Sequence, residues 1–294
     1  MSKTPWWVHP ALLTAGLLYG ANYSIAKLAM GNYIEPYGLN LLRVSMAFLV
    51  FMLLSGTKGE KLDNSDIPRI VLCTLCGASL NLTMFFKGLS MTTPVNSALI
   101  LTTSPIVVLI ASYLILKEKI RVRQIIGVGL GLFGAFILLN TNELSLNSEG
   151  LIGDVITFGN TVLYSVYLVI VKPLMVKYHP FTILKWIFGL GLIIIAPLGF
   201  NQFIDIEIAL ADWPGLLTLG YVAVATTVFA YFLNISAIKH VSSTIVGYYI
   251  YLQPLFAGFI EIIFGRQEIS LQLILSSVFI FLGVFLVSTK SNRP

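Results

Sequence analysis

A lipid bilayer admits a backbone only as helices or closed barrels, and a helix crosses the hydrocarbon with about 20 apolar residues at about 1.5 Å of rise each. This sequence divides into ten stretches of that size, near residues 10–30, 37–55, 68–89, 95–116, 122–140, 152–172, 181–200, 214–237, 243–264 and 271–289. Pro36, Gly56, Pro94, Gly150, Pro180, Pro214, Gly265 and Ser270 stand at their ends, and the connections leave little room for an extramembrane domain. With 57% hydrophobic and 11% charged residues and a mean hydropathy of +0.89, the chain carries more apolar side chain than one soluble core buries. The expected fold is an all-α integral membrane protein of ten transmembrane helices.

Charge sets the expected orientation. Lys and Arg are retained on the cytoplasmic side. With the N-terminus inside, that face collects Lys3, Lys58, Lys61, Arg69, Lys117, Lys119, Arg121, Arg123, Lys172, Lys177, Lys239, Lys290 and Arg293, against Arg266 alone outside. Both termini are then cytoplasmic, in an inner (plasma) membrane protein. The net charge of +5 and pI near 9.1 do not indicate a nucleic-acid partner, because the cations lie between apolar runs without an aromatic-interleaved basic face. MSKTPWWVHPALL lacks the short apolar core and small-residue cleavage site of a removed signal peptide, so the first apolar run is expected to stay. Cys73 and Cys76 form a CxxC inside IVLCTLCGASL, where packing is a better reading than redox or metal chemistry. No metal or cofactor is expected.

An offset of 149 places SPIVVLIASYLILKEKI on QPLFAGFIEIIFGRQEI, Pro105 on Pro254 and Gly134 on Gly283 without a gap. An offset of 145 places VLYSVYLVIVKPLM on LLYGANYSIAKLAM, Tyr164 on Tyr19 and Lys172 on Lys27. The chain is thus two copies, residues 10–140 and 151–289, each with five expected helices. Five is odd, so the second copy enters the membrane upside down. KEKIRVRQ at 117–124 has four cations and falls inside; its counterpart RQEISLQL has one and falls outside, where positive charge would oppose insertion. Inverted repeats of this kind serve alternating access around a site near the midplane.

The chain resembles the EamA-type families of the drug/metabolite transporter superfamily. In the first half the resemblance rests on LLYGANYSIAKLAM, LNLLRVSMAFLVF and FFKGLSMTTPVNSALILTTSPIVVLIASYLILKEKI. In the second it rests on GDVITFGNTVLYSVYLVIVKPL, AYFLNISAIKHVSSTIVGYYIYLQPLFAGFIEIIFGRQEI and FIFLGVFLVST. It implies a 5+5 inverted-repeat carrier of small metabolites, often amino acids or related compounds, frequently moved outward. A Gly-Glu pair often closes the ninth span in the family; Gly265-Arg266-Gln267-Glu268 stands here.

Polar groups on apolar helices face protein or water, since leaving them unsatisfied in hydrocarbon costs several kcal/mol, of order 2–7. Asn160, Tyr164 and Tyr167 share one face of the sixth span, and Tyr19 and Asn22 are three apart on the first. Asn81 and Phe85, Tyr231 and Asn234, and Tyr248 and Tyr251 complete the set. Rings beside amides and hydroxyls suit a neutral or zwitterionic organic substrate. Interhelical hydrogen bonding is the alternative role for each position.

Lys27, Arg43, Lys87 and Glu261 fall toward the outer ends of their spans. An ion pair from Glu261 to Arg43 or Lys27 would make an outer gate, and a protonatable Glu261 a coupling group; snorkelling or a static pair is the alternative, and Lys185 is expected to snorkel. Pro105 and Pro254 lie mid-span as expected helix kinks, acting as hinges or shaping packing. GLLYG at 16–20 and GVGLG at 127–131 are expected to bring helices close; GLGLFG spells GxGxxG, but no strand precedes it.

The reading is a secondary carrier, not an enzyme. It has neither a GxxxxGKS/T loop nor HExxH or GxSxG, and His9, His179 and His240 all lie at span ends. Its partners would be a small-molecule substrate and the bilayer, with oligomeric state left open and a monomer allowed. A membrane-embedded enzyme acting on a lipid-linked substrate and a non-transporting sensor remain the alternatives.

Overall fold

The structure is a computed structural model that describes residues 4–56, 60–138, 148–204, 213–263 and 271–288. Most of those residues are helical, with no strand among them. Six helical stretches are long and apolar enough to cross a membrane: Pro36–Ser55, Asn64–Met91, Asn96–Leu116, Gly150–Lys177, Pro180–Ile204 and Trp213–Ile238. Val122–Ile137 and Ile274–Val287 are shorter apolar helices. The first helix, Val8–Asn32, has 25 residues, but Tyr19, Asn22, Tyr23 and Lys27 dilute its apolar run.

Several stretches that read as continuous apolar runs are broken. In the first half the elements are α1 (Val8–Asn32), α2 (Pro36–Ser55), α3 (Ile67–Gly77), α4 (Leu80–Met91), α5 (Pro94–Leu101), α6 (Ser104–Leu116) and α7 (Val122–Leu138). In the second they are α8 (Ser148–Ile170), α9 (Lys172–Lys177), α10 (Pro180–Ile204), α11 (Trp213–Gly220), a π-helical stretch Tyr221–Phe229, α12 (Ala230–Ile238), α13 (Ser243–Tyr249), α14 (Leu252–Ile263) and α15 (Leu271–Ser288).

Local chemistry explains the starts. The Thr93 hydroxyl accepts from Asn96 N at 3.1 Å to open α5, and the Ser242 hydroxyl accepts from Ile245 N at 3.2 Å to open α13, each satisfying one donor of a first turn. These two caps are 149 positions apart, the offset of the sequence repeat. Two residues separate α5 from α6 and α13 from α14. Pro105 and Pro254 fall in the first turn of the helix after each gap, where a missing N–H removes no helical hydrogen bond. The helix is interrupted before each of them.

The bundle wears an apolar coat. Leu53, Ile193, Phe136 and Phe285 are more than half exposed, at 73%, 71%, 59% and 64%. Such a surface around a fully helical bundle is what hydrocarbon requires and water does not favour. The tightest pairings are α2 with α10, α7 with α15, and α4 with α8. Glycine sets the α7–α15 approach: a Cβ on Gly127 would lie 2.9 Å from Gly283 O, and one on Gly283 2.7 Å from Gly127 O. In GLLYG, a Cβ on Gly20 would lie 2.6 Å from Gln253 O of α14. The expected close approach at both GxxxG motifs is present. Cys73 and Cys76 are free and buried in α3.

Polar loops meet at one end. Lys177 Nζ lies 3.0 Å from Asp63 Oδ2 and 2.6 Å from Asp66 Oδ2, while Lys172 Nζ lies 2.8 Å from Glu118 Oε1. The backbone N–H of His179 and the Thr182 hydroxyl both donate to Glu60. In the charge knot, Lys117 adopts φ 57° and ends α6.

Candidate substrate cavity

A central cavity of about 60 Å³ lies between the two halves of the chain. Tyr19, Asn22, Tyr23, Arg43, Asn81, Leu82, Phe85 and Leu101 line it from the first half, and Asn160, Tyr164, Tyr231 and Gln253 from the second.

Each polar wall has a packing reason. Asn81 Nδ2 donates to Asn160 O at 3.0 Å and Asn160 Nδ2 donates to Asn81 O at 2.9 Å, a reciprocal clasp between α4 and α8. Asn234 Nδ2 donates to Tyr164 Oη at 3.2 Å from behind the wall. Tyr231 Oη donates at 2.6 Å to Gly77 O, a carbonyl that the end of α3 leaves without a helical partner. Tyr23 Oη reaches Gln253 Oε1 at 3.4 Å, and the Tyr23 and Phe85 rings meet edge to face at 5.8 Å. Tyr19 Oη and Asn22 Oδ1 are buried without a partner among the described residues.

Arg43 is 2% exposed on α2. Its Nε donates to Thr227 Oγ1 at 2.5 Å, and its guanidinium carbon stands 4.9 Å over the Phe86 ring. Thr227 in turn donates to Val222 O at 3.0 Å within the π-helical stretch. That bond aims the hydroxyl lone pairs at the guanidinium.

A family model for EamA-like transporters matches the chain twice, over residues 6–140 and 151–289. The chain belongs to the EamA-like transporter family. A protein of Archaeoglobus fulgidus named an uncharacterized transporter is 23% identical over 288 residues, 97% of this chain and 98% of that one. The uncharacterized transporter YyaM of Bacillus subtilis is 24% identical over 298 residues, 98% of this chain and 95% of its own. Protein PecM of Dickeya dadantii is 24% identical over 206 residues, 66% of this chain and 64% of its own. A solved crystal structure superposes with a TM-score of 0.75 at 18% identity, covering 96% of each chain, and so shares the fold. This EamA-like protein is therefore a multi-pass membrane transporter, and the names of its family and relatives point to transport and not to an enzyme.

Within this EamA-like bundle the sequence-selected residues separate into three groups. Tyr19, Asn22, Asn81, Phe85, Asn160, Tyr164 and Tyr231 meet at the cavity. Tyr167 and Asn234 lie outside its lining, Tyr167 so tight against α3 that a Cβ on Gly77 would lie 2.5 Å from its ring. Tyr248 Oη donates to Gln124 O at 2.9 Å and Tyr251 Oη to Val128 O at 3.2 Å, so both hold α7 and neither lines the cavity. Arg43, selected as a gate, is part of the lining. Lys27 Nζ donates to Leu89 O at 2.6 Å, Ser90 O at 3.0 Å and Thr92 O at 2.9 Å, which closes the C-terminus of α4. The side chain of Glu261 on α14 lies outside the described residues, and with it the ion pair expected there.

Sequence reasoning missed four lining residues, Tyr23, Leu82, Leu101 and Gln253. Tyr23 is four positions after Tyr19, and Gln253 directly precedes the repeat-related Pro254, so both had a signal. Leu82 and Leu101 had none. Asp154 was also passed over: it accepts from the Thr92 hydroxyl at 2.6 Å and from Asn96 Nδ2, tying α8 to the start of α5.

Proposed function

We propose that this transporter is a secondary carrier of small organic metabolites, amino acids or related compounds, working outward by alternating access. The observation that carries this reading is the cavity, to which both sequence repeats contribute rings, amides and hydroxyls. In this reading ten spans form two five-helix repeats inserted in opposite senses, with both termini in the cytoplasm of a cell bounded by the inner (plasma) membrane. The two halves exchange roles at the two faces of the membrane. Rings supply contact area to the substrate while Asn22, Asn81 and Asn160 orient it. The partners are the substrate and the bilayer; nucleic acid is not one, and a monomer suffices.

Counterflow of labelled substrate in proteoliposomes tests the carrier. A correctly inserted protein that binds its ligand and never moves it would remove this reading in favour of a sensor, and chemical conversion of the ligand would favour an enzyme. The inverted arrangement is tested separately by single cysteines at Arg121 and Arg266, the latter outside the described residues. They should label from opposite sides of intact cells, and labelling from one side refutes the arrangement.

A further inference from the structure

Arg43 is a buried cation in the wall of a cavity with no acid among its described lining residues. A charge placed inside a membrane span costs roughly 2.5–3.5 kcal/mol on insertion scales, so its retention calls for a counter-charge. Among the described residues the ion pairs are Lys172 with Glu118 and Lys177 with Asp63 and Asp66, and none involves Arg43. Its neighbours are neutral. Thr227 takes the Nε proton, and the Phe86 ring covers one face of the guanidinium. The two terminal nitrogens have no protein acceptor among the described residues.

We propose that the cavity binds an organic carboxylate with an apolar or aromatic body, and that the terminal nitrogens of Arg43 hold its carboxylate. The inference rests on the carrier reading of the same cavity and narrows its substrate. A guanidinium presents two parallel donors that match the two oxygens of a carboxylate. Thr227 fixes the rotation of the fork through Nε and leaves its outer edge free. Arg43 is the one cation among the described lining residues and balances one negative charge, so a carboxylate fits and a phosphate dianion would enter half-compensated. Tyr19, Tyr23, Phe85 and Tyr164 then enclose the body of the molecule.

The test uses matched acid and amide pairs, from benzoate and benzamide to 3-phenylpropanoate, indole-3-acetate and their amides, titrated into purified protein and read by thermal shift and calorimetry. At least one acid should bind about tenfold or more tighter than its amide. Arg43→Gln should erase that difference, and Arg43→Lys should keep part of it. Thr227→Val, which loosens the guanidinium without removing it, should weaken acid binding about fivefold and leave amide binding unchanged. The proposal is overturned if the amides bind as well as the acids, if no acid binds, or if folded Arg43→Gln keeps the preference. An acid preference absent from the parent protein and present in Glu261→Gln would also overturn it, since the counter-charge would then belong to the protein. Counterflow separates the two readings: an acid bound and never transported removes the carrier and keeps the carboxylate site, whereas amides transported in place of acids do the reverse.

Discussion

Lys27 offers the sharpest separation between a structural cation and a gate. Its ammonium has three protons and donates to three carbonyls at 2.6, 3.0 and 2.9 Å. Leu89 O and Ser90 O belong to the last turn of α4, which has no N–H of its own to offer them. Hydrogen bonds from a charged donor contribute about 1.5–3 kcal/mol each, but three that share one nitrogen are not additive. The ammonium must also leave water. Lys27→Met, which keeps the length and loses the donors, should therefore cost about 2–3 kcal/mol. The assay is reversible unfolding by SDS titration in mixed micelles. If all three protons serve α4, the cost should add to that of Glu261→Gln within about 0.5 kcal/mol. A Lys27→Met protein as stable as the parent would refute the helix-closing role, and a coupling above about 1 kcal/mol would restore the ion pair read from the sequence.

Two of the three glycines in the motif GVGLG carry opposite expectations. A Cβ on Gly127 would lie 2.5 Å from Val287 Cγ2, so Gly127→Ala should destabilise by about 1–3 kcal/mol. Gly129 meets nothing within 4 Å, and Gly129→Ala should stabilise by about 0.5–1 kcal/mol in the same unfolding assay. At the loop end, the Ser65 backbone N–H and then Lys177 hold the Asp63 carboxyl down to about 2. A depressed carboxylate contributes stability above its ordinary value of about 3.9 and loses it as pH falls through the lowered one. Lys177→Met should move that loss to higher pH in melting curves taken from pH 2 to 6. Tyr164→Ala and Asn22→Ala should each lower transport without lowering the amount of protein in the membrane; unchanged flux in both would discard their place in the site.

How much of this was legible follows from what periodicity encodes. A stripe at i, i+4 and i+7 gives the face of a helix and not the depth at which a cavity ends. Asn160 and Tyr164 reach the cavity, whereas Tyr167, on the same face, lies past it against Gly77. Arg43 shows the complementary limit: its place in the sequence indicated depth near the outer end of α2, but the direction in which it points depends on α4 and the π-helical stretch packed against it. The apolar runs identified a helical membrane protein, and the paired GxxxG motifs marked contacts that the packing contains. The breaks at Ala78–Ser79 and Thr102–Thr103 were hidden because hydropathy does not change across them. Thr93 and Ser242, good caps at repeat-equivalent positions, signalled only the starts of α5 and α13.

Those breaks sit where the cavity does, and membrane physics accounts for it. Irregular backbone within a bilayer must be buried in protein or face water, because a bare carbonyl or N–H in hydrocarbon costs several kcal/mol, of order 2–7. The end of α3 releases Gly77 O, and Tyr231 from the cavity wall takes it up. Leu101 ends α5 at the cavity edge, and Gln253 stands there in the first turn of α14. In the π-helical stretch, Thr226 and Thr227 both donate to Val222 O, and Thr227 is then turned to hold Arg43. Interrupting a helix creates free polar groups, the cavity walls bind them, and the same side chains become fixed in orientation toward the central space. A continuous helix at the α3–α4 break or in place of the π-helical stretch would leave Tyr231 or Arg43 without its anchor.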